Sequence, residues 1–356
     1  MNMLLTRLYK YWPLLGFVFS ACKEPFVPFK DPNTEKILVV DGFIDTGGGE
    51  TTIRLTQTAD MMGPVTYNYV PSATLKIEGE DGTTITAITN AAGVAVFSTK
   101  INNQTQRYKL SIATQSGRKY STNFLDNIKA PKLDSIGYKI EALGIQLYLN
   151  TDDKANNTRY YGWSYEETYE IEAIKPKYQP LAMICWANNL PTEILAGSSI
   201  KLSDNRITGF PLTFIKGNSI KLNKMYSINV SQYGLTEKAY NYLVNIKKNT
   251  EKIGSIFDPQ PSETIGNIRC DSDPSEPVIG FINCGTVSQK RIFIRKRDIP
   301  RPNNNWIYLD CDWQPVSEDP DPEFYYIEYE RGMVPWTCVD CTLNGASTTK
   351  PAFWPK

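Results

Sequence analysis

Short segments in which apolar and polar residues alternate recur along the first third of the chain, and they restrict it to a β-rich fold. Ile53 and Leu55 alternate with polar neighbours, and Leu75 and Ile77 repeat the pattern. Period-two alternation is typical of strands that bury one face. Residues 37–40 form a continuous apolar run of the kind found in a buried strand, and further strands are predicted at residues 83–87, 93–97, 108–112 and 119–124. This spacing, about seven strands in roughly 90 residues, predicts an immunoglobulin-like β-sandwich over residues 36–125.

Residues 130–356 are predicted to form a larger antiparallel β-rich domain with one prominent α-helix and a loop-rich C-terminus. Pro131 marks the expected hinge between the two domains. Thr236 can cap a helix over residues 236–252, which we expect to pack one face against a sheet. That face contains Tyr240, Leu243, Val244 and Lys247. Residues 350–354 are expected to pack aromatic side chains onto the fold as a terminal strap.

The segment at residues 160–173 is unusually rich in aromatic residues. Its rings are Tyr160, Tyr161, Trp163, Tyr165 and Tyr169. One interpretation is an exposed stripe on which sugars stack. The favoured interpretation is an antiparallel strand that packs rings into a core on one face and leaves the other face half solvated.

The N-terminus has the features of a bacterial lipoprotein signal. Arg7 and Lys10 accompany an apolar run too short to span a bilayer, and residues 19–22 (Phe-Ser-Ala-Cys) have the form of a lipobox. We predict that residues 1–21 are a signal peptide and that Cys22 is acylated, so that lipid anchors the protein to the outer membrane. A soluble secreted protein with an incidental cysteine is the alternative.

Residues 22–35 are predicted to be a lipidated tether. Their prolines favour an extended chain that spaces the fold away from the membrane. Lys23 and Glu24 resemble, in part, the surface-export signal of Bacteroidota lipoproteins. We therefore expect display on the cell surface in preference to an anchor that faces the periplasm. The lipid is the expected anchor, because no later hydrophobic run approaches membrane-spanning length.

The cysteines predict structural disulfides. Six remain after Cys22, and an even number in an exported chain favours pairing, although six cysteines allow 15 full pairings. Cys338 and Cys341 form a CxxC motif, but no second CxxC and no histidine complete a zinc site. Free buried thiols and redox or metal chemistry are the alternatives. The disulfide candidates are Cys185, Cys270, Cys284, Cys311, Cys338 and Cys341.

The composition argues against most enzymatic functions. The chain has no histidine, the usual general base of hydrolases and a frequent metal ligand. Lysine plus arginine balances aspartate plus glutamate at 38 each, so no overall charge attracts nucleic acid. The acidic residues at 318–323 lack the spacing of a calcium loop and are predicted to be solvated. We therefore expect no catalytic residue, no metal and no cofactor.

A set of short sequence blocks extends over nearly the whole chain after Cys22. The blocks are residues 39–42 (VVDG), 185–186 (CW), 248–250 (KNT), 254–261 (GSIFDPQP), 266–268 (GNI), 273–280 (DPSEPVIG), 290–294 (KRIFI), 338–341 (CVDC) and 350–351 (KP). Together they resemble a family of Bacteroidota outer-membrane lipoproteins, domain-of-unknown-function family 4249. Residues 344–346 depart from the family pattern, so the resemblance does not extend to the turn expected there. The resemblance implies a surface lipoprotein often encoded beside a TonB-dependent transporter, with no family-wide catalytic site.

Three functions are weighed on this basis. The leading hypothesis is a non-enzymatic surface lipoprotein that helps a TonB-dependent outer-membrane barrel to capture a ligand. The second is a structural accessory subunit of an outer-membrane assembly, secretion or gliding complex. The third, least favoured, is a glycan hydrolase that uses carboxylates alone. We expect the contact surface for a barrel to include the tryptophans of the second domain, Trp306, Trp313 and Trp336. Packing in the core or within loops is the alternative for each of them.

Overall fold

The computed structural model describes residues 36–59, 67–173, 183–251, 264–299, 314–315, 324–327 and 332–356. The chain is mostly β in these ranges, and Ile37–Lys356 form one compact unit. None of the helices described there has the length and hydropathy needed to cross a membrane.

The strands and helices succeed one another as follows. The first nine strands are β1 (Leu38–Asp45), β2 (Thr51–Gln57), β3 (Asn68–Tyr69), β4 (Thr74–Gly79), β5 (Thr84–Ile88), β6 (Val94–Phe97), β7 (Tyr108–Ala113), β8 (Lys119–Thr122) and β9 (Asn127–Ile128). Next come β10 (Leu133–Glu141), β11 (Gly144–Asp152), β12 (Tyr160–Glu172), β13 (Ile184–Asn189), β14 (Leu195–Ser198), β15 (Arg206–Lys216), β16 (Met225–Leu235) and helix α1 (Glu237–Glu251). The remaining elements are β17 (Ile268–Cys270), β18 (Val278–Ile279), β19 (Asn283–Gly285), β20 (Val287–Arg295), β21 (Gln314–Pro315), β22 (Phe324–Ile327), β23 (Gly332–Pro335) and helix α2 (Trp336–Val339).

An immunoglobulin-like sandwich forms the N-terminal part of the compact unit. One sheet has the order β3-β2-β1-β19-β9, with β6 beside β2 and β18 beside β1; the other has the order β17-β8-β7-β4-β5. The alternating residues fill the space between them: Ile53 and Leu55 come from one sheet, and Leu75 and Ile77 from the other. The predicted sandwich is confirmed.

Three strands of this first sandwich come from a distant part of the chain. β17 pairs antiparallel with β8, whereas β18 and β19 pair in parallel with β1. The chain therefore does not divide at the predicted boundary between residues 36–125 and 130–356, because residues 268–285 complete the first sandwich. The physical reason is that β1 and β8 would otherwise present unpaired backbone groups at a sheet edge. Local alternation does not reveal which distant segment fills such an edge.

Two of the chain crossings between the sandwiches run side by side. One leads from β9 to β10, and the other leads from β19 to β20 through Thr286. They are hydrogen-bonded to each other: the Thr286 amide donates to the Ile128 carbonyl at 3.1 Å, and the Ala130 amide donates to the Thr286 hydroxyl at 2.9 Å. The segment predicted as a hinge, at residues 130–132, is thus part of a braced junction.

The second sandwich is antiparallel throughout. Its small sheet has the order β10-β11-β15, and its large sheet has the order β13-β12-β16-β20, with β14 beside β12. Leu147 and Leu149 of the small sheet meet Tyr226 and Ile228 of the large sheet in a fully buried core. The prediction of a larger antiparallel β-rich part with one main helix is confirmed.

The aromatic segment forms β12, the longest strand of the large sheet. Tyr161, Trp163 and Tyr165 are buried in the core of the second sandwich. The Trp163 indole donates to the side-chain carbonyl of Gln232 at 2.8 Å, which satisfies its buried N–H. These three rings therefore pack the core, and the alternative of an exposed sugar-stacking stripe does not apply to them.

Helix α1 follows β16 as predicted, although its buried face is shifted. The Thr236 hydroxyl accepts a hydrogen bond from the Ala239 amide at 3.2 Å and so caps the helix. Ala239 and Tyr242 are buried, whereas the predicted face is only half-buried. Tyr242 contacts Phe281 of the first sandwich at 5.4 Å between ring centroids. The helix thus packs on both sandwiches, whereas the prediction was that it packs against one sheet.

The C-terminus forms the predicted strap. Trp354 is buried, and its indole N–H donates to the Glu170 carboxylate at 2.9 Å. The same ring meets Phe293 edge-on, with 5.5 Å between centroids. The Arg291 guanidinium lies 3.7 Å from the centre of the Phe353 ring. These contacts cover one end of the outward face of the large sheet and leave its other end for the first sandwich.

Candidate functional site

The outward face of the large sheet is polar where it approaches the first sandwich. Because the rings of β12 occupy its inner positions, Ser164 and Glu166 lie on the opposite face. The strand register places Ser164 beside Ser231, and Ser231 beside Gln289. The Gln289 amide donates to the Ser231 hydroxyl at 3.1 Å, and the hydroxyls of Ser164 and Tyr233 are 2.9 Å apart. This row forms a hydrogen-bonding floor.

The first sandwich supplies a wall above this floor. Phe43 of β1 packs against Tyr233, with 4.8 Å between ring centroids. A triglycine turn, residues 47–49, then connects β1 to β2. A Cβ at Gly49 would overlap the Asp45 carboxylate, so glycine allows the backbone to close around that side chain. The Gly47 amide donates to Asp45 Oδ1 at 2.7 Å and fixes the carboxylate in this turn.

The floor and the wall enclose a cleft of about 880 Å³, hereafter the sandwich cleft. In the ranges that the structure describes, five carboxylates line it and no lysine or arginine does. The carboxylates are Asp41, Asp45, Glu50, Glu166 and Glu193. Three rings that line it are Phe43, Tyr233 and Phe281. A cavity of this volume with a few polar groups and aromatic walls is typical of sites for small molecules or short oligomers.

Asp45 is the most unusual of these carboxylates. It is only 8 % exposed, and burial raises its pKa, although the hydrogen bond from the Gly47 amide and the positive charge of Lys100 act in the opposite direction. In the part of the chain that the structure describes, Asp45 Oδ2 accepts no hydrogen bond, and no cation lies within ion-pair distance of either oxygen. Oδ2 is not sealed from solvent, so this partly desolvated carboxylate is open to a further partner from the cleft.

Glu166 is an exposed carboxylate of the cleft lining. Its side chain is 59 % exposed, and Arg291 Nη2 is 3.8 Å from its carboxylate. Arg291 is itself held by the Phe353 ring, and burial lowers the pKa of its guanidinium. A long, exposed ion pair of this kind contributes little to stability. Glu166 therefore remains available to the cleft.

The cysteines resolve in three ways. Cys185 and Cys341 form a disulfide, and Cys338 is also disulfide-bonded. The prediction of a disulfide is wrong for Cys270 and Cys284, which are free and buried. The two lie on different sheets of the first sandwich and fill core positions there. The Cys270 thiol also donates to the Glu276 carboxylate at 3.5 Å and accepts from the Asp273 amide at 3.3 Å. An even number of cysteines does not exclude free, buried thiols.

We expect Cys284 to resist thiol reagents while the protein is folded. Burial raises the pKa of its thiol to about 12, and the negative charge of Asp45 adds to this effect. At about pH 8, where an ordinary cysteine with a pKa near 8.5 is partly ionised, Cys284 stays protonated and unreactive. Labelling with Ellman's reagent before and after urea unfolding, followed by peptide mapping, measures this difference. Equal labelling rates in the two states would contradict the packing described here.

Several predicted site residues lie outside the described residues: Cys22, Cys311, Trp306, Trp313 and the acidic cluster at residues 318–323. Trp336 is described, and it is half-buried at the start of α2. Among the residues described, no three acidic or cysteine side chains converge as a metal site. The sequence interpretation missed the sandwich cleft. The one local signal was the sequence Asp-Thr-Gly-Gly-Gly-Glu at residues 45–50. It indicates a turn, but it does not show which residues face that turn.

The geometry defines a protein of two packed β-sandwiches with an acidic cleft at their junction. The family model described as "Domain of unknown function (DUF4249)" matches residues 23–291, which is more than half of the chain. The protein belongs to this family. Among solved structures, a two-fibronectin-type-III-domain segment from chicken tenascin matches 57% of this chain and 94% of its own, at 12% identity and a TM-score of 0.18. No curated protein matches the chain.

Proposed function

We propose that the protein is a non-enzymatic, lipid-anchored binding protein of the outer-membrane surface that captures a ligand for a TonB-dependent transporter. The observation that carries the proposal is the sandwich cleft, which is large enough for a small ligand and lined by hydrogen-bonding side chains and rings. The braced junction between the sandwiches supports it, because a preorganised site loses less entropy on binding.

The lipobox supports the proposed location of the protein at the outer membrane. Acylated Cys22 would hold the fold at the membrane through the tether of residues 22–35. Tethering would raise the effective concentration of the cleft near a neighbouring barrel into a range of roughly mM. The resemblance to lipoproteins encoded beside TonB-dependent transporters supports a barrel as the partner. A binding function also accords with a sequence that contains no histidine.

Cross-linking in intact cells tests this function. We expect the wild-type chain to be labelled by a fatty-acid analogue, to remain with the outer membrane, and to cross-link to a barrel of the TonB-dependent class. The Cys22→Ala variant should lose the label and leave the membrane fraction, because the lipid is the expected anchor. Cys284→Ala is a matched control, since it removes a cysteine that the lipobox does not contain.

Two results would decide against the proposal. Retention of unlabelled Cys22→Ala in the membrane would exclude the lipid anchor. Cross-links only to components of an assembly, secretion or gliding machine would support the structural alternative, in which the protein is an accessory subunit.

A further inference from the structure

The lining of the sandwich cleft is far more acidic than the protein as a whole. The full chain carries 38 acidic and 38 basic residues, yet the described residues that line the cleft include five carboxylates and no lysine or arginine. Cations approach the lining from outside it. Lys247 Nζ donates to the Ile194 carbonyl, beside Glu193, at 3.1 Å. Lys100 influences Asp45 through space only, and Arg291 is 3.8 Å from Glu166. The local field therefore favours a positively charged ligand.

Asp45 provides a second, independent indication. The residue as a whole is 8 % exposed and lines the cleft, and among the described residues its carboxylate receives one hydrogen bond, from the Gly47 amide. An asparagine could accept the same hydrogen bond without burying a charge, so the turn does not explain the acid. A charge-assisted contact from a ligand would compensate for the desolvation of this group. The missing side chain at Gly49 leaves the carboxylate the space it occupies.

The arrangement indicates an organic cation in preference to a metal ion. The carboxylates are spread along the cleft, and within the described ranges they do not converge as a metal-ligating group. Phe43, Tyr233 and Phe281 lie among them, and aromatic faces attract ammonium and guanidinium groups. The volume of about 880 Å³ suits a ligand of several residues. A neutral sugar could bond to the hydroxyl floor, but it would leave Asp45 without a counter-charge.

We propose, building on the ligand-capture function above, that the sandwich cleft binds a short basic peptide, with Asp45 as the inner contact for a protonated side chain. The carboxylates at the rim, Glu50, Glu166 and Glu193, would receive its other positive groups. Because these rim groups are exposed, their contribution should decrease as salt increases. The part played by Asp45 should be less sensitive to salt.

Calorimetric titration of the full-length protein tests this proposal, with trilysine as the probe and with triglutamate and maltotriose as comparisons. We expect trilysine alone to bind, and to bind more weakly at high salt. The Asp45→Asn variant should lose about tenfold or more in affinity, the loss expected for one charge-assisted contact. Its melting temperature should equal or exceed that of the wild type, because the amide keeps the Gly47 contact and the buried charge is removed.

Glu141→Gln is the matched control. It removes the same unit charge from an exposed position outside the cleft, and it should leave trilysine affinity unchanged. If Asp45→Asn does not fold, Glu50→Gln/Glu193→Gln makes the same test at exposed lining positions. Failure of trilysine to bind, or equal losses in the cleft variants and in Glu141→Gln, would overturn the proposal. Preferential binding of maltotriose would also overturn it, but would leave ligand capture and the barrel partner intact.

Discussion

Removal of the Cys185–Cys341 disulfide, by the Cys185→Ala/Cys341→Ala substitution, is expected to lower the free energy of unfolding by about 4–5 kcal/mol. The bond joins residues 156 positions apart, and long loops lose the most chain entropy in the unfolded state when they are closed. Both sulfurs are fully buried, so the substitution also loses packing. Urea unfolding followed by fluorescence measures the change.

The same substitution should loosen the C-terminus first. Beyond the disulfide, the final segment is joined to β13 by paired backbone hydrogen bonds between Trp186 and Ser347, of 2.8 and 2.9 Å. We expect limited proteolysis to release the strap that carries Trp354 before the sandwiches unfold. Cys270→Ala is the control, because it removes a buried sulfur without opening a loop and should cost only about 1 kcal/mol. Equal losses in the two variants would mean that loop closure contributes nothing.

Replacement of Lys221 by methionine should lower the free energy of unfolding by about 3 kcal/mol. Glu167 is 1% exposed, and Lys221 Nζ is the cation that pairs with it. The Tyr226 hydroxyl also donates to this carboxylate, at 2.8 Å, and the Asn189 side chain donates to its other oxygen. These hydrogen bonds persist in the variant, but the buried charge loses its counter-charge.

A double substitution separates the ion pair from simple loss of packing. In Lys221→Met/Glu167→Gln no buried charge is left unpaired, and the glutamine oxygen can still accept from Tyr226, so much of the lost stability should return. Lys201→Met serves as the control at an exposed position and should change stability by no more than about 0.5 kcal/mol. If the double variant is as unstable as Lys221→Met, the charge is not the cause.

The strands of the first sandwich could be predicted because burial of one face imposes a two-residue period. Ile53, Leu55, Leu75 and Ile77 alternate in the sequence and are buried in the structure. Helix α1 was predictable for a related reason, since its cap at Thr236 is a local hydrogen bond. Its buried face was not, because Tyr242 packs against a ring from the other sandwich.

The cysteines show where local reasoning fails. Cys185 and Cys341 are paired although 156 residues separate them, whereas Cys270 and Cys284, only 14 positions apart by their numbering, remain free. Disulfide formation depends on the positions at which the strands place each cysteine side chain. The even number of cysteines in the sequence contains no information about those positions. The candidate site was hidden for the same reason. Asp45 and Ser164 face one cleft only because the two sandwiches meet there.

The sequence by itself determined the properties that depend on near neighbours. These are the alternation that specifies β-strands, the helix after Thr236, the lipobox before Cys22 that predicts a membrane anchor, and membership of the DUF4249 family. The tertiary structure alone decided the pairing of distant segments: the return of residues 268–285 to the first sandwich, the Cys185–Cys341 bond and the acidic cleft. The physical reason is that strand edges, sulfur atoms and charges interact when they are close in space. The order of residues along the chain does not show which distant residues become close.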